Sequence, residues 1–162
     1  MSGRKENPVQ ETKKVVPILR PARPEDQDAV VGLVASAGLP TSGVEIGSAE
    51  FVVAEYGGRI VGVAGLETYG TDGLLRSVAV AEDWRGRGLG GELTRAILEG
   101  ARRRGLTDLY LLTETAADFF ARFGFRPIRR EDASEAVKAS EEFRDLCPVS
   151  STVMVRSMAV AP

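Results

Sequence analysis

The sequence contains no histidine and only one cysteine, Cys147. The absence of histidine excludes catalytic triads built on that residue and argues against a catalytic zinc site. A single cysteine cannot form an internal disulfide, which is typical of proteins in a reducing cytoplasm. We expect Cys147 to be a packed small side chain rather than a reactive thiol. These absences predict a cytoplasmic protein that binds no metal.

Long hydrophobic runs and an excess of charge are also missing. No apolar run reaches the length of a membrane span, and the first residues, MSGRKENPVQETKK, lack the hydrophobic segment of a secretory signal. The formal net charge is −2, so no overall positive field directs the chain to nucleic acid. We expect a disordered tail over 1–14, one domain over 15–158 and a short tail over 159–162. Neither nucleic acid nor a membrane is an expected partner.

Hydrophobic periodicity predicts strands that alternate with helices. The predicted strands are VVPILRPA, EFVVAEY, RIVGVAGLETYG, GLLRSVAV, DLYLLTE, GFRPIRR and SSTVMVRSM. The predicted helices are 24–37, 88–104, AADFFARF and DASEAVKASEEFRDL. The pair Gly57-Gly58 is suited to a tight hairpin turn. This order predicts an α/β (α+β) fold, in which a mixed, mostly antiparallel sheet of six to seven strands has helices on both faces.

A glycine-rich segment, AVAEDWRGRGLGGEL, connects the strand GLLRSVAV to the helix over 88–104. Gly86, Gly88 and Gly91 satisfy the dinucleotide pattern G-x-G-x-x-G, but five residues separate the strand from the first glycine. A Rossmann turn joins strand and helix tightly, and a P-loop requires a Gly-Lys-Ser/Thr that is missing here. Backbone N–H groups before a helix N-terminus, with Arg85 and Arg87 beside them, are instead typical of a pyrophosphate-binding loop.

The same loop carries a family resemblance. Arg85-x-x-Gly88-x-Gly90 is similar to the [Q/R]-x-x-G-x-[G/A] signature of the GNAT acetyltransferase superfamily, which also follows a strand and opens a helix. A second landmark of the family, a helix that ends in Gly-Phe, is present as FFARFGF. The element order resembles the GNAT fold over 15–158. The resemblance implies an N-acetyltransferase that uses acetyl-CoA as acetyl donor, a small amine as acceptor and no metal.

A narrower resemblance is to the small GNAT enzymes of arsenic resistance, which acetylate amino-acid-like compounds. It is carried by GLPTSGV, GLETYG, LLRSVAVAEDWRGRGLG, LYLLTETAADFF and EFRDLCP. It implies an amino acid or an antimetabolite of the phosphinothricin or arsinothricin type as acceptor. N-acetylglutamate synthases have similar domains, so acetylation of glutamate is an alternative, as is a domain that binds acetyl-CoA without turnover. A homodimer is also expected.

The resemblance assigns the residues that bind the donor. The pyrophosphate is expected on the backbone amides of Arg85, Gly86, Arg87, Gly88, Leu89, Gly90 and Gly91. The backbone of Val78, Ala79 and Val80 is expected to pair with the pantetheine arm, and an amide near Val80 to polarise the thioester carbonyl. Phe120 stands where many GNAT enzymes have a tyrosine that protonates the leaving thiolate, and is expected to form part of the pantetheine wall. Leu74 stands where many have a glutamate base.

Two acidic residues remain as candidates for catalysis. Glu67 ends the third predicted strand and Glu114 ends the fifth. Each is expected either to hold or deprotonate the substrate ammonium or to be a solvated carboxylate at a strand end. Thr113 and Thr115 flank Glu114 and are expected to line the substrate pocket.

Arg76 is a charged residue within the apolar run LLRSVAV, where it needs a partner. The alternation of a strand places it on the same face as Val78 and Val80. One interpretation is a bidentate grip on a substrate carboxylate. The other is an internal ion pair, with Glu67 as the partner, and the two are compatible.

Overall fold

A computed structural model describes residues 16–159. The predicted tail over 1–14, the first residue of the predicted domain and residues 160–162 lie outside the described residues. Within them, seven strands form one sheet in the order β1-β2-β3-β4-β5-β7-β6. The strands are β1 (Ile18–Pro21), β2 (Glu50–Tyr56), β3 (Arg59–Tyr69), β4 (Asp72–Val80), β5 (Asp108–Thr113), β6 (Arg126–Ile128) and β7 (Thr152–Ser157). The helices are α1 (Gln27–Ser36), α2 (Leu89–Arg103), α3 (Ala117–Ala121) and α4 (Glu135–Lys138).

The sheet is mixed and mostly antiparallel, as predicted. The pair β4–β5 is parallel, and the other neighbouring strands of the described sheet are antiparallel. The predicted hairpin is confirmed, because Gly57 and Gly58 join β2 to β3 with φ of +60° and +78°. Two consecutive left-handed residues match the right-handed twist of the strands they connect.

Helices cover both faces of the sheet, also as predicted. Val53 and Val63 pack in one hydrophobic cluster with residues of α1. Their neighbours Ala54 and Ala64 pack in another cluster with residues of α2. Because adjacent residues of a strand point to opposite faces, α1 and α2 lie on opposite sides of the sheet.

The prediction of one continuous helix over 132–146 is wrong. The structure has the single turn α4 there, followed by a separate π-helical turn at Glu142–Leu146. The Ser140 side chain lies between them, and its Oγ accepts a hydrogen bond from the backbone N of Phe143 at 3.3 Å. Serine side chains compete with the helical backbone in this way and start a new turn. The second turn buries Glu142 rather than leaving it on a solvated helix face.

A β-bulge interrupts β4 at Ser77, a non-glycine residue with a φ of +59°. On either side of it, Arg76 pairs with Gly65 of β3 and Ala79 pairs with Val63. Two residues of β4 therefore stand opposite one residue of β3, which reverses the alternation of side chains along β4.

The bulge moves Arg76 to the face opposite the one predicted. Val78 and Val80 pack in the cluster under α2. The Arg76 side chain instead crosses Gly65, where a Cβ would lie 3.3 Å from Arg76 Cγ and 2.6 Å from Cε1 of Phe51. Phe51 belongs to the cluster under α1. The prediction that Arg76 shares a face with the two valines is wrong, because it assumed unbroken alternation.

This close approach predicts opposite effects for two glycine substitutions. Gly65→Ala should lower the free energy of unfolding by about 1–3 kcal/mol, because its methyl group must displace Phe51. Gly32→Ala, in α1 where a Cβ meets nothing within 4 Å, should raise it by about 0.5–1 kcal/mol. Urea unfolding of both variants measures the difference. A Gly65→Ala protein as stable as the wild type would contradict the described packing.

Candidate functional site

The parallel strands β4 and β5 separate from each other partway along the sheet. They pair at three positions and no further, the last pair being Leu74 and Tyr110. Beyond it β4 continues to Val80 and β5 to Thr113, so the facing backbone edges of these segments have no ladder partner within residues 16–159. An extended ligand can pair with such an edge as an added strand does.

A cavity of about 460 Å³ occupies this opening, and we call it the splay cavity. Its lining is formed by residues 37–40, 75–78 and 111–116 and by Phe119, Phe120, Glu142, Cys147 and Ser151. The predicted residues Arg76, Thr113, Glu114 and Thr115 are among these. The charged side chains of the lining are Arg76, Glu114 and Glu142, so carboxylates outnumber cations.

A second cavity of about 630 Å³ lies at the glycine-rich loop, and we call it the loop cavity. Its lining is formed by Val80, Trp84, Arg85, Gly86, Gly88, Leu89, Gly90, Gly91, Arg95, Phe119, Arg122 and Phe123. Among these described residues there are three arginines and no acidic side chain. Phe119 lines both cavities, so they adjoin. The loop cavity is therefore suited to an anion and lies next to an opening suited to a cation or zwitterion.

The loop has a backbone conformation that suits an anion-binding site. Gly86 and Gly88 have φ of +81° and +83°, a conformation that glycine adopts without strain. The helix α2 begins directly after Gly88, which makes no side-chain cap. The first amides of a helix have no intrahelical acceptor and carry the positive end of its dipole. These features are compatible with the phosphate or pyrophosphate group that the sequence leads us to expect here.

The two arginines of the loop motif have separate structural contacts. Arg85 lines the loop cavity, and its Nε donates to the backbone O of Val80 at 3.1 Å. Arg87 does not line it; its guanidinium lies over the Trp84 ring at 4.6 Å and donates to the backbone O of Asp83. Arg87 thus holds the turn before the helix in place, while its own backbone remains part of the loop.

Two further arginines of the loop cavity were missed by sequence reasoning. Arg95 lies over the ring of Phe123 and Arg122 over the ring of Phe119, each at 5.3 Å from the ring centroid. Arg95 is four residues after Gly91, so it projects from the same face of α2 as the loop. That spacing was a usable signal, whereas the position of Arg122 depends on how α3 packs.

Arg76 is almost fully buried, with 3% of its surface exposed, and has several internal partners. Its Nη1 donates to Oε2 of Glu67 at 2.7 Å, its Nη2 to the backbone O of Ser42 at 2.8 Å, and its Nε to Oγ of Ser77 at 3.0 Å. The Nε also lies 3.4 Å from Oε1 of Glu142. The ion pair with Glu67 is therefore present. These three hydrogen bonds leave part of the donor capacity of the guanidinium for a ligand.

Glu67 does not line either cavity. It lies behind Arg76 and also accepts a hydrogen bond from the hydroxyl of Tyr69. Burial of Tyr69, together with this hydrogen bond, raises the pKa of its phenol. The structure thus places Glu67 where it orients Arg76 rather than where it touches a molecule in the cavity.

The strand β5 ends one residue earlier than predicted. The strand stops at Thr113, and Glu114 and Thr115 are exposed residues in the following turn. The Thr113 Oγ1 accepts a hydrogen bond from the backbone N of Ala116 at 2.9 Å and holds this turn before α3. Glu114 is consequently the predicted carboxylate that faces the splay cavity.

Glu142 and Cys147 line the same cavity, and sequence reasoning assigned neither a role there. Burial raises the pKa of Glu142, and the positive charge of Arg76 opposes this shift. The Cys147 thiol donates to Oε2 of Glu142 at 3.6 Å. Burial and the neighbouring carboxylate raise the pKa of Cys147 to about 12, so it is a protonated thiol at neutral pH. This agrees with its prediction as a packed, unreactive side chain.

Phe120 forms part of the cavity wall. It is buried and makes edge-to-face contacts with Phe119 and Phe125, at centroid distances of 5.0 and 6.0 Å. Leu74, which stands where the resemblance places a glutamate base, is fully buried. Neither side chain has a proton to transfer.

The described residues have neither a cluster of metal ligands nor a membrane-spanning helix. Residues 16–159 contain no cluster of three or more histidine, cysteine or acidic side chains placed to hold a metal ion. None of the helices in this part of the chain combines the length and the apolar composition needed to cross a bilayer.

Comparison with known proteins identifies relatives of the chain. Residues 47–127 match the model of the acetyltransferase (GNAT) domain family. An amino-acid acetyltransferase of Mycobacterium tuberculosis is 34% identical over 161 residues, which cover 87% of this chain and 91% of the relative. An uncharacterised N-acetyltransferase of Chlorobaculum tepidum is 30% identical over 83 residues, which cover 51% of this chain and 53% of the relative.

Solved structures share the fold. A Mycobacterium tuberculosis protein crystallised with CoA and the ligand NLQ is 27% identical, with a TM-score of 0.72 over 87% of this chain and 99% of that chain. N-acetylglutamate synthase of Neisseria gonorrhoeae, crystallised with CoA and L-arginine, is 22% identical, with a TM-score of 0.73 over 91% of this chain. The chain spans 34% of the length of that synthase and about half of the Chlorobaculum tepidum relative.

The family follows from two of these findings. The family model covers half of the chain, and the Mycobacterium tuberculosis relative is matched over nearly its whole length. The seven-stranded sheet, its opening between β4 and β5 and the glycine-rich loop before α2 agree with this match. The chain therefore belongs to the GNAT family of acetyltransferases, acyltransferases that use acetyl-CoA as the acetyl donor.

Proposed function

We propose that this chain acetylates the α-amine of a free amino acid or an amino-acid-like compound. The observation that carries the proposal is the pair of adjoining cavities with different charge. The loop cavity has three arginines and a helix N-terminus for the phosphates of the donor. The splay cavity has two carboxylates and Arg76 for an acceptor that is both cationic and anionic. The name of the Mycobacterium tuberculosis relative, amino-acid acetyltransferase, supports this choice.

The donor is held by backbone groups in this proposal. The amides of Arg85–Gly91 bind the pyrophosphate, and the unpaired edge of β4 at Val78–Val80 binds the pantetheine arm. An amide near Val80 donates to the thioester carbonyl. Acetyl-CoA supplies a thioester that is already activated, so the chain needs no nucleophile of its own. Phe120 packs against the arm and offers no proton, so water supplies the proton to the leaving sulfur.

The acceptor is held by side chains of the splay cavity. Arg76, fixed by Glu67, directs its remaining donors to the substrate carboxylate. Glu114 faces the substrate ammonium, with Thr113 and Thr115 beside it. Glu67 acts through Arg76 and is a positioning residue in this arrangement.

The sequence segments that resemble enzymes of arsenic resistance narrow the choice of acceptor. They support antimetabolites of the phosphinothricin and arsinothricin type as acceptors, and detoxification in the cytoplasm as the role. Glutamate is the alternative acceptor, in line with the fold shared with N-acetylglutamate synthase. The active form is proposed to be a homodimer, which light scattering of the purified protein tests.

Release of free CoA thiol tests the proposed reaction. Purified protein with acetyl-CoA is assayed against glutamate, glutamine, phosphinothricin and a lysine-containing peptide. We expect thiol release with at least one of the free amino acids or with phosphinothricin, and none above background with the peptide. No release with any free amino acid or analogue would overturn the proposal.

A second candidate function is favoured by Phe120. Because this residue has no proton to give, a domain that senses acetyl-CoA without turnover is also consistent with the cavity wall. Calorimetry separates the two functions. Binding of acetyl-CoA without turnover of any amine would support the sensor, whereas binding with turnover would support the enzyme.

A further inference from the structure

Glu142 is a buried carboxylate in the splay cavity with one oxygen unsatisfied. Glu142 is 6% exposed, and its Oε1 has no hydrogen-bond partner among the described residues. The nearest charge to Oε1 is Nε of Arg76 at 3.4 Å, but that N–H donates to Ser77 instead. Buried carboxylate oxygens are normally hydrogen-bonded, so an unsatisfied one at a cavity indicates a missing partner.

A second unsatisfied group lies in the same cavity. The Oγ of Ser151 is buried and has no hydrogen-bond partner within residues 16–159. Glu142 and Ser151 both line the splay cavity, from the π-helical turn and from the loop before β7. π-helical turns are rare and occur frequently at functional sites. Two unsatisfied polar groups at one cavity point to a polar ligand rather than to a packing defect.

We propose that Glu142 binds the ammonium group of the acceptor through Oε1 and takes one proton from it. The assignment rests on the proposed function and adds a catalytic residue to it. A protonated amine has the donors that a carboxylate oxygen lacks here, and it has no free electron pair until a proton is removed. Glu114, exposed at the mouth of the cavity, then contributes attraction for the cation rather than the proton transfer.

The count of protons in the reaction defines the step that Glu142 performs. The ammonium loses its first proton to the Glu142 carboxylate, and the free amine then forms the new bond from nitrogen to the acetyl carbon. The bond from that carbon to sulfur breaks. The nitrogen loses a second proton as the amide forms, and the leaving sulfur gains one. One proton per turnover therefore passes to water, and Glu142 returns to its carboxylate form.

The charges around Glu142 set the pH at which it acts. Arg76 faces it from β4, with Glu67 and Tyr69 of β3 behind Arg76, and the Cys147 thiol donates to it. Burial raises the pKa of Glu142 above the usual range of a glutamate. The active carboxylate form is therefore lost as the pH falls through that raised pKa. We expect kcat/KM to fall on the acid side with this pKa.

Glu142→Gln tests the assignment, and Glu141→Gln is its matched control. Glu141 is exposed, lies one residue earlier, and accepts a hydrogen bond from Ser42 that glutamine can also accept. We expect Glu142→Gln to lower kcat about 100-fold and to lose the acid limb of the kcat/KM profile. Glu141→Gln should retain both. Calorimetry with CoA and thermal melting show whether the variants still bind the donor and fold.

A second variant decides the matter if Glu142→Gln does not fold. The Cys147 thiol stabilises the Glu142 carboxylate by its hydrogen bond and so lowers its pKa. Cys147→Ala should therefore move the acid limb to higher pH, and an unmoved limb would overturn the assignment. If Glu142→Gln kept the wild-type kcat and an unchanged pH profile of kcat/KM, the assignment of Glu142 would be overturned but the proposed function would not. A wild-type protein that acetylates no amine would overturn the proposed function and this assignment with it.

Discussion

Gly88→Ala should weaken the binding of CoA about tenfold or more and lower kcat/KM by at least as much. Gly88 has a φ of +83° directly before α2, where a Cβ costs about 1–2 kcal/mol. The loop relaxes this strain by moving its amides away from the phosphate position. A strain of about 1.4 kcal/mol corresponds to a tenfold loss of affinity. Isothermal titration of CoA into the variant measures the loss.

Gly105→Ala is the matched control for the loop. Gly105 has a φ of +71° just after the other end of α2 and lines neither cavity. It should lower the melting temperature through the same kind of backbone strain, with the affinity for CoA unchanged. Equal CoA affinity in Gly88→Ala and the wild type would show that the loop does not hold the donor.

Arg76→Ala should lower the free energy of unfolding by about 3–5 kcal/mol, the largest effect on stability that we expect. The change leaves the carboxylates of Glu67 and Glu142 without their buried cation and removes the donor to Ser42. Burial raises the pKa of Glu142 above its unfolded value, and the variant lacks the Arg76 charge that opposes this shift, so this carboxyl takes up a proton more readily in the folded state. The loss of stability should therefore shrink as the pH falls below that raised pKa. Guanidinium unfolding at neutral and mildly acidic pH measures both effects.

Arg59→Ala separates this effect from the loss of an ordinary ion pair. Arg59 pairs with Asp83 at 2.8 Å, but both side chains are more than half exposed, at 56% and 62%. Exposed pairs contribute little because water and salt screen them. We expect its unfolding curve to overlay that of the wild type. Similar losses in both arginine variants would contradict the buried network around Arg76.

The parts of the structure that could be predicted from sequence are those determined by local chemistry. Gly57-Gly58 specifies its hairpin because both residues need positive φ. The glycine loop could be placed before a helix because strand, loop and helix are contiguous in the sequence. The order of strands and helices follows from hydrophobic periodicity, and the fold class follows from that order.

The position of Arg76 could not be predicted, because the bulge at Ser77 breaks the alternation on which the prediction depended. Nothing in LLRSVAV marks that extra residue. The role of Glu142 depends on a contact with Arg76 across 66 positions of sequence and on a helix that Ser140 interrupts. Periodicity extends through Ser140, so it predicted one continuous helix where the structure has two separate turns, the second of which buries Glu142.

The central claim is that acetyl groups pass from acetyl-CoA to the α-amine of an amino-acid-like acceptor in the splay cavity. The most direct test is to incubate the protein with acetyl-CoA labelled in the acetyl carbonyl, together with glutamate or phosphinothricin, and to follow the label by NMR. The account predicts that the label appears as an amide on the α-nitrogen and that this signal grows at least tenfold more slowly in Gly88→Ala. A label that remains in acetyl-CoA, or appears only as free acetate, would contradict it.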